Sequence, residues 1–272
     1  MARTTPLLIN TTAIELWPAD LLRARGNTNA RLLAHADQVL RRKDDGRYLA
    51  AVGHLGLHSL TPQLPQEPGL QEALQALDSL QELHRRSAAA PLEHQFLPVL
   101  GLQQRLQQLG LDAGEYASKT GLTLQAEPVL LHFAGRDRFG RPLWLRRSSA
   151  QAWRRLRLHA AREGIALDAI SGYRSHAYQL GIFERKRARG QSVAQILHVN
   201  AAPGFSEHHG GLALDIGTPG EPPAEASFEA TPAFAWLQDN AAQHGFRMSY
   251  PRDNPHGIVH EPWHWCWAPG VS

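Results

Sequence analysis

The sequence predicts an α+β protein, and three observations carry that prediction. Apolar stripes at helical spacing fill the first 120 residues. Short runs of strand character, joined by Gly-rich turns, begin after Gly121. Helices and strands then mix without the strand–helix–strand rhythm of a parallel sheet. With 272 residues, 43% apolar and 19% charged, the chain can bury a core and lies outside the composition of disordered proteins.

In chain order, Leu32, Leu33, Ala36, Val39 and Leu40 recur at helical spacing. Leu70, Leu74, Leu77, Leu80 and Leu83 make a second stripe, and Val99, Leu102, Leu106 and Leu109 a third. Gly53, Gly56, Pro62, Pro65 and Pro68 separate them. The expectation is an all-helical N-terminal region over residues 1–120. Its His35, His54, His58, His84 and His94 lack a carboxylate at a convincing spacing and are read as structural or surface residues.

A second domain is expected over residues 121–272. Val129–Phe133 and Pro142–Leu145 read as strands joined by a hairpin through Gly135 and Gly140. Ser148 or Ser149 then caps a helix running to Glu163. A strand over Ala166–Ser171 leads to a helix over His176–Ala188, with Ser175 as its cap. Leu212–Ile216 reads as a strand and the Pro-rich 217–231 as a loop. Pro232–His244 reads as a helix, and Phe246–Tyr250 and Val259–Trp267 as strands.

Composition excludes several classes of function. Lys plus Arg (28) against Asp plus Glu (25) leaves a net charge of +3, too small for a protein that coats nucleic acid. The basic runs around Trp153 and Arg185–Arg189 lie on predicted helices whose other face is apolar, the pattern of a solvated surface, and no nucleic-acid partner is expected. Cys266 is the only cysteine, so an intrachain disulfide and a multi-cysteine zinc site are both ruled out. No apolar run approaches the length of a membrane span. The N-terminus lacks the apolar core of a secretory signal, so a cytoplasmic location is expected.

The chemistry concentrates late in the chain, where seven of the fifteen histidines fall between His198 and His264. His208 and Asp215 stand seven positions apart, and Gly210-Gly211 between them permits a tight turn into a strand. Imidazole and carboxylate are both zinc ligands, though two leave a site incomplete. A polar loop with a His pair is the plain alternative. In Glu261-Pro-Trp-His-Trp-Cys-Trp267 the tryptophans alternate with His264 and Cys266, as on a strand. Pro262 bends the chain just before it, so that Glu261 is aimed separately. A His ligand with a carboxylate three residues earlier suits a hydrolytic zinc centre; a packed Trp ladder with incidental polar residues is the alternative. In Ser171-Gly-Tyr-Arg-Ser175, Arg174 falls at a strand end, where it could bind a substrate carboxylate or a developing oxyanion. Taken alone, Arg174 is better explained as an ordinary surface ion-pair residue.

Taken together, these segments resemble the zinc D-Ala-D-Ala carboxypeptidase/dipeptidase family, the VanY- and VanX-type enzymes of peptidoglycan metabolism. Ser171-Gly-Tyr-Arg-Ser with Gln179, Pro203-Gly-x-Ser-Glu-His with Gly211-Leu-Ala-x-Asp215, and Glu261-Pro-Trp-His-Trp265 carry the resemblance. Gly245-Phe-Arg-Met-Ser-Tyr-Pro251 adds a weaker match. The likeness covers roughly residues 125–268 and says nothing about the N-terminal half. It implies a small antiparallel-sheet zinc peptidase core flanked by helices, with Zn2+ held by His208, Asp215 and His264. Glu261 would be the catalytic base and acid, Arg174 would stabilise the oxyanion, and Ser206 and Gln179 would hold the peptide's end. His209 falls at a variable position of the motif and receives no role. Cys266 and Trp267 depart from the pattern, and Cys266 is read as a buried spectator.

The implied substrates are peptidoglycan stem peptides or muropeptides losing a terminal D-alanine. A cytoplasmic location favours L,D-carboxypeptidase action on recycled tetrapeptides. D,D-carboxypeptidase or D-Ala-D-Ala dipeptidase activity is the alternative, followed by a phage-type endopeptidase. A non-catalytic wall-peptide binding module is a further reading, one that would not need Glu261. The oligomeric state and the role of the N-terminal half stay open.

Overall fold

The computed structural model describes residues 5–24, 26–86, 92–99 and 101–268, without the side chains of residues 28, 29 and 81–86. The chain falls into two compact units, Met1–Pro98 with Glu127–Phe133, and Val99–Ala126 with Ala134–Ser272.

The first unit is built on strands, which corrects the all-helical expectation. β1 (Leu7–Asn10), β2 (Ile14–Pro18), β3 (Gln38–Arg42), β4 (Tyr48–Gly53) and β5 (Gly56–Ser59) form an antiparallel sheet in the order β5-β4-β3-β2-β1. The segment to residue 133 of β6 (Leu130–Arg136) adds to β1. Among the described residues of this unit, only α1 (Asn27–Leu33) and α2 (Leu70–Arg86) are α-helical. Val39 and Leu40, read as part of a helical stripe, pair with Ala51 and Ala50 across a hairpin that turns through Asp44-Asp45-Gly46. Short apolar runs fit a buried strand as well as a helix, and the Asp-Gly turn settles which one forms. The second stripe behaves as expected. Ala73, Leu77 and Leu80 of α2 pack on Ile14, Leu16, Leu40 and Leu49. The side chains of Leu83 and His84 lie outside those described. Lys43 and Glu127 form a buried ion pair, and Glu127 also accepts from Asn10 Nδ2 at 3.1 Å.

The second unit opens with α3 (Leu102–Gln108) and α4 (Ala113–Thr120). Leu102, Leu106 and Tyr116 pack with Ala202, Phe205, Tyr250 and Ile258, and the Tyr116 hydroxyl accepts from Ala202 N at 3.1 Å. Then follow β7 (Pro142–Leu145), α5 (Arg147–Arg162), β8 (Asp168–Ser171), α6 (His176–Ala188), α7 (Val193–Leu197), β9 (Ala213–Gly217), α8 (Pro232–Asn240), β10 (Phe246–Met248) and β11 (His264–Trp267). An antiparallel sheet in the order β10-β11-β9-β8 carries the core. Leu214, Ile216, Phe246 and Trp265 meet Trp153 and Leu156 of α5 and Phe234 and Leu237 of α8.

The α+β fold expected of this half is the one found, with local corrections. Neither Ser148 nor Ser149 caps α5: its N-cap is Arg146, and Ser149 Oγ donates instead to Gly211 O at 2.8 Å. Ser175 does cap α6, accepting from Tyr178 N at 3.1 Å. β11 starts only at His264, because Pro262 and a turn closed from His264 N to Glu261 O break the strand expected from Val259. Among the described residues no helix is long and apolar enough to cross a membrane.

Candidate metal centre

Three elements deliver the residues of the cluster. Asp215 on β9 and His264 on β11 are direct cross-strand partners, so register alone sets their side chains on one face. The alternation along β11 turns Trp265 into the core and leaves His264 and Cys266 on the opposite face. His208 comes from a one-turn 3₁₀ helix, Glu207–Gly210, that immediately precedes β9. Gly211 ends that turn at φ 66°, a left-handed conformation that glycine adopts without strain. One ligand atom from each of His208, Asp215 and His264 can be chosen so that all lie within 4.8 Å of one another, and all three residues are buried. They are the only such group of three among the described residues.

Hydrogen bonds orient both rings. His208 Nδ1 lies 2.7 Å from Gly172 O and must carry a proton, since a carbonyl only accepts. Its Nε2 lone pair therefore points at Asp215 Oδ1, 3.3 Å away, and has no hydrogen-bond partner although it is buried. A side chain at Gly172 would not fit: a Cβ there would meet Leu143 Cδ1 at 2.7 Å and Trp144 O at 3.0 Å. His264 Nε2 lies 2.9 Å from Glu207 Oε2, and its Nδ1 lies 3.2 Å from Asp215 Oδ1. Glu207, unassigned by the sequence reading, thus holds His264 from behind. Its one visible signal is its place beside His208 in the motif.

The electrostatics follow from burial and these contacts. Burial works against the Asp215 carboxylate, yet the protonated His264, 3.2 Å away, holds it well below the usual carboxylate range. Burial is likewise outweighed at His264, where Asp215 and Glu207 push the imidazole up to about 10. Burial also opposes ionisation of Glu207, but the bond to His264 brings it down to about 2. Burial, with Arg174 nearby, lowers His208 to about 4, which keeps it neutral. Burial raises Glu261 to about 7, against the pull of His264. The Cys266 thiol is pushed up, chiefly by burial, and stays protonated.

This donor set fits a zinc ion. A buried imidazole lone pair facing a carboxylate oxygen calls for a cation between them. His264 supplies that charge as an imidazolium, and a divalent ion would supply it with His208 Nε2, Asp215 and His264 Nδ1 as ligands. Gly172 O and Glu207 would then be the outer acceptors that fix the two ring orientations.

Of the remaining expected residues, Glu261 and Arg174 border the cluster. Glu261 Oε2 is 3.9 Å from His264 Nδ1, and the Glu261 N–H is held by Tyr250 O at 3.0 Å. Arg174 is close enough to bear electrostatically on both His208 and Glu261, and its Nε is buried without a hydrogen-bond partner. Ser206 is buried at the N-cap of the 3₁₀ turn. Gln179 is buried on α6, donating to Ala201 O at 3.1 Å and leaving Oε1 without a partner.

Comparison with known proteins matches residues 142–270 to the family model VanY: D-alanyl-D-alanine carboxypeptidase. YodJ of Bacillus subtilis (strain 168), named as a carboxypeptidase, is 37% identical over 131 residues, 44% of this chain and 45% of that protein. The chain thus spans under half the length of that relative. A solved LdcB LD-carboxypeptidase is 34% identical with a TM-score of 0.43, over 46% of this chain and 59% of that one. The bifunctional D-Ala-D-Ala dipeptidase and D-Ala-D-Ala carboxypeptidase VanXYC of Enterococcus gallinarum is 30% identical over 142 residues, half of this chain. That match reaches across 70% of VanXYC itself, and the chain belongs to the VanY family of zinc D-alanyl-D-alanine carboxypeptidases.

Proposed function

We propose that the chain is a zinc carboxypeptidase releasing the C-terminal D-alanine of peptidoglycan stem peptides, with His208, Asp215 and His264 as metal ligands. The buried, partnerless Nε2 of His208 beside Asp215 and His264 is the observation that supports this most. Held by His208, Asp215 and His264, a zinc ion would supply Lewis acidity toward the attacking water and the scissile carbonyl. Glu261 acts as general base, taking the proton from the attacking water and returning it to the departing amine of D-alanine. The Arg174 guanidinium balances the charge that develops on the carbonyl oxygen. Ser206 and Gln179 are assigned to the peptide's end. The chemistry is placed in a catalytic domain over residues 121–272, with none assigned to residues 1–120.

Tetrapeptide stems, cleaved by L,D-carboxypeptidase action, are the first substrate reading. The name of the Enterococcus gallinarum relative favours the second reading, D,D-carboxypeptidase or dipeptidase action. The test incubates zinc-loaded protein with defined tetrapeptide and pentapeptide stems and follows alanine loss by mass spectrometry. Loss from the tetrapeptide supports L,D activity, and loss from the pentapeptide alone supports D,D activity. Intact peptides in both incubations would overturn the proposal.

A further inference from the structure

We propose that His209, the residue after the metal ligand His208, is a positioning residue that sets the backbone from which Arg174 projects. The inference rests on the reading of Arg174 as the oxyanion-stabilising group. His209 is fully buried, and both ring nitrogens are engaged. Gly204 N–H donates to its Nε2 at 3.1 Å, so Nε2 carries no proton. Its Nδ1 therefore holds the proton and donates to Arg174 O at 2.6 Å. On the other side of the same residue, Arg174 N–H donates to His208 O at 3.3 Å. Both peptide groups of Arg174 are thus fastened to one short turn, the turn that presents His208 to the cluster. His208 Nδ1 adds a third tie, to Gly172 O at 2.7 Å.

The consequence is mechanical. Arg174 follows β8 at the start of a loop, and its buried Nε has no hydrogen-bond partner to hold the side chain in place. The backbone below it sets where it starts and the range it can reach. His209 welds that backbone to the ligand-bearing turn, so the point from which the guanidinium projects keeps a constant separation from the metal cluster. The His176 ring packs edge-on against His209, with centroids 4.4 Å apart, and is itself anchored by Nε2 to Gln125 O at 2.7 Å. A small displacement of a charge-stabilising group costs one to two orders of magnitude in rate, so loss of the Nδ1 bond reads out in kcat.

Two substitutions separate the two ring bonds. In His209→Asn the side-chain amide nitrogen replaces Nδ1 and can still donate to Arg174 O. In His209→Gln the side-chain amide reaches the place of Nε2 and keeps only the Gly204 contact. The assay is D-alanine release from whichever defined stem peptide the wild type cleaves, with zinc content and melting temperature measured alongside. His209→Gln is expected to lose on the order of 10- to 100-fold in kcat with zinc retained. His209→Asn is expected to stay within a few-fold of wild type. In an Arg174→Ala background, His209→Gln should cost little more, because the group it positions is gone.

Equal losses in the two variants, or a His209→Gln loss that persists undiminished without Arg174, would overturn the proposal. If Arg174→Ala alone leaves kcat unchanged, the oxyanion reading fails and this inference with it. Nitrogen NMR of the wild-type imidazoles gives a readout independent of any variant. A His209 protonated at Nδ1 supports the proposal, and one protonated at Nε2 overturns it.

Discussion

Replacing Glu261 by glutamine removes a proton acceptor while leaving the shape of the site unchanged. The carboxylate lies 3.9 Å from His264 Nδ1, too far for a hydrogen bond, and its backbone is held by Tyr250 O whatever the side-chain charge. The three-residue cluster should therefore stay intact, with zinc per chain unchanged. Loss of a general base costs on the order of 10²- to 10⁴-fold in turnover, or about 3 to 6 kcal/mol of barrier at about 1.4 kcal/mol per decade. The same substitution has a second signature in metal-stripped protein. Burial raises the folded-state Glu261 from 4.5 to about 7, so its contribution to stability is complete below pH 4.5 and is lost as pH rises through about 7. At about 1.4 kcal/mol per unit, the loss approaches about 3 kcal/mol at pH 8. Metal-stripped Glu261→Gln should then be more stable than metal-stripped wild type at pH 8 and nearly equal to it at pH 4. Denaturant unfolding at the two pH values, elemental analysis of zinc and D-alanine release together provide the check. A variant that keeps turnover within tenfold of wild type, or loses activity only in step with lost zinc, would refute the reasoning.

Three further outcomes are expected. Glu207→Ala deprives His264 Nε2 of its acceptor, and zinc affinity measured by chelator competition should fall by about 10- to 100-fold; an unchanged affinity would show that Glu207 does not orient the ring. Because the metal-free site holds His264 protonated up to about pH 10 through Asp215 and Glu207, zinc binding at pH 7.5 should release about one proton. Calorimetry in buffers of different ionisation enthalpy measures this, and zero release would contradict the assignment. In the first unit, Glu127→Ala leaves Lys43 buried without its partner. Unfolding should become easier by about 3 to 5 kcal/mol, with zinc content unaffected.

The site was more legible than the N-terminal fold, for a local reason. The two-residue period of Trp263 to Trp267 states which face His264 takes, although the strand begins at His264 and not at the expected Val259. The Gly pair before Asp215 signals the turn that brings His208 near it. Ser175 announces the start of α6 through its capping side chain. Residues 32–40 carry no comparable local marker: Val39 and Leu40 sit at helical spacing, yet they are strand residues because Ala50 and Ala51 lie across a hairpin from them. Pairing between separated segments overrides a weak local period.

Sequence alone therefore determined the chemical types offered to the candidate site, two imidazoles and an aspartate with a proposed glutamate and arginine, together with the order in which they occur. Tertiary structure decided what each of those groups is. Glu207 and His209 acquire their contacts only when residues distant in the chain, His264 and Arg174, are folded against them. The contrast between a neutral His208 and a protonated His264 arises the same way, since a pKa answers to burial and to charges a few ångströms away in space. Spacing along the chain encodes reach and periodicity; it does not encode the field in which a side chain finally sits.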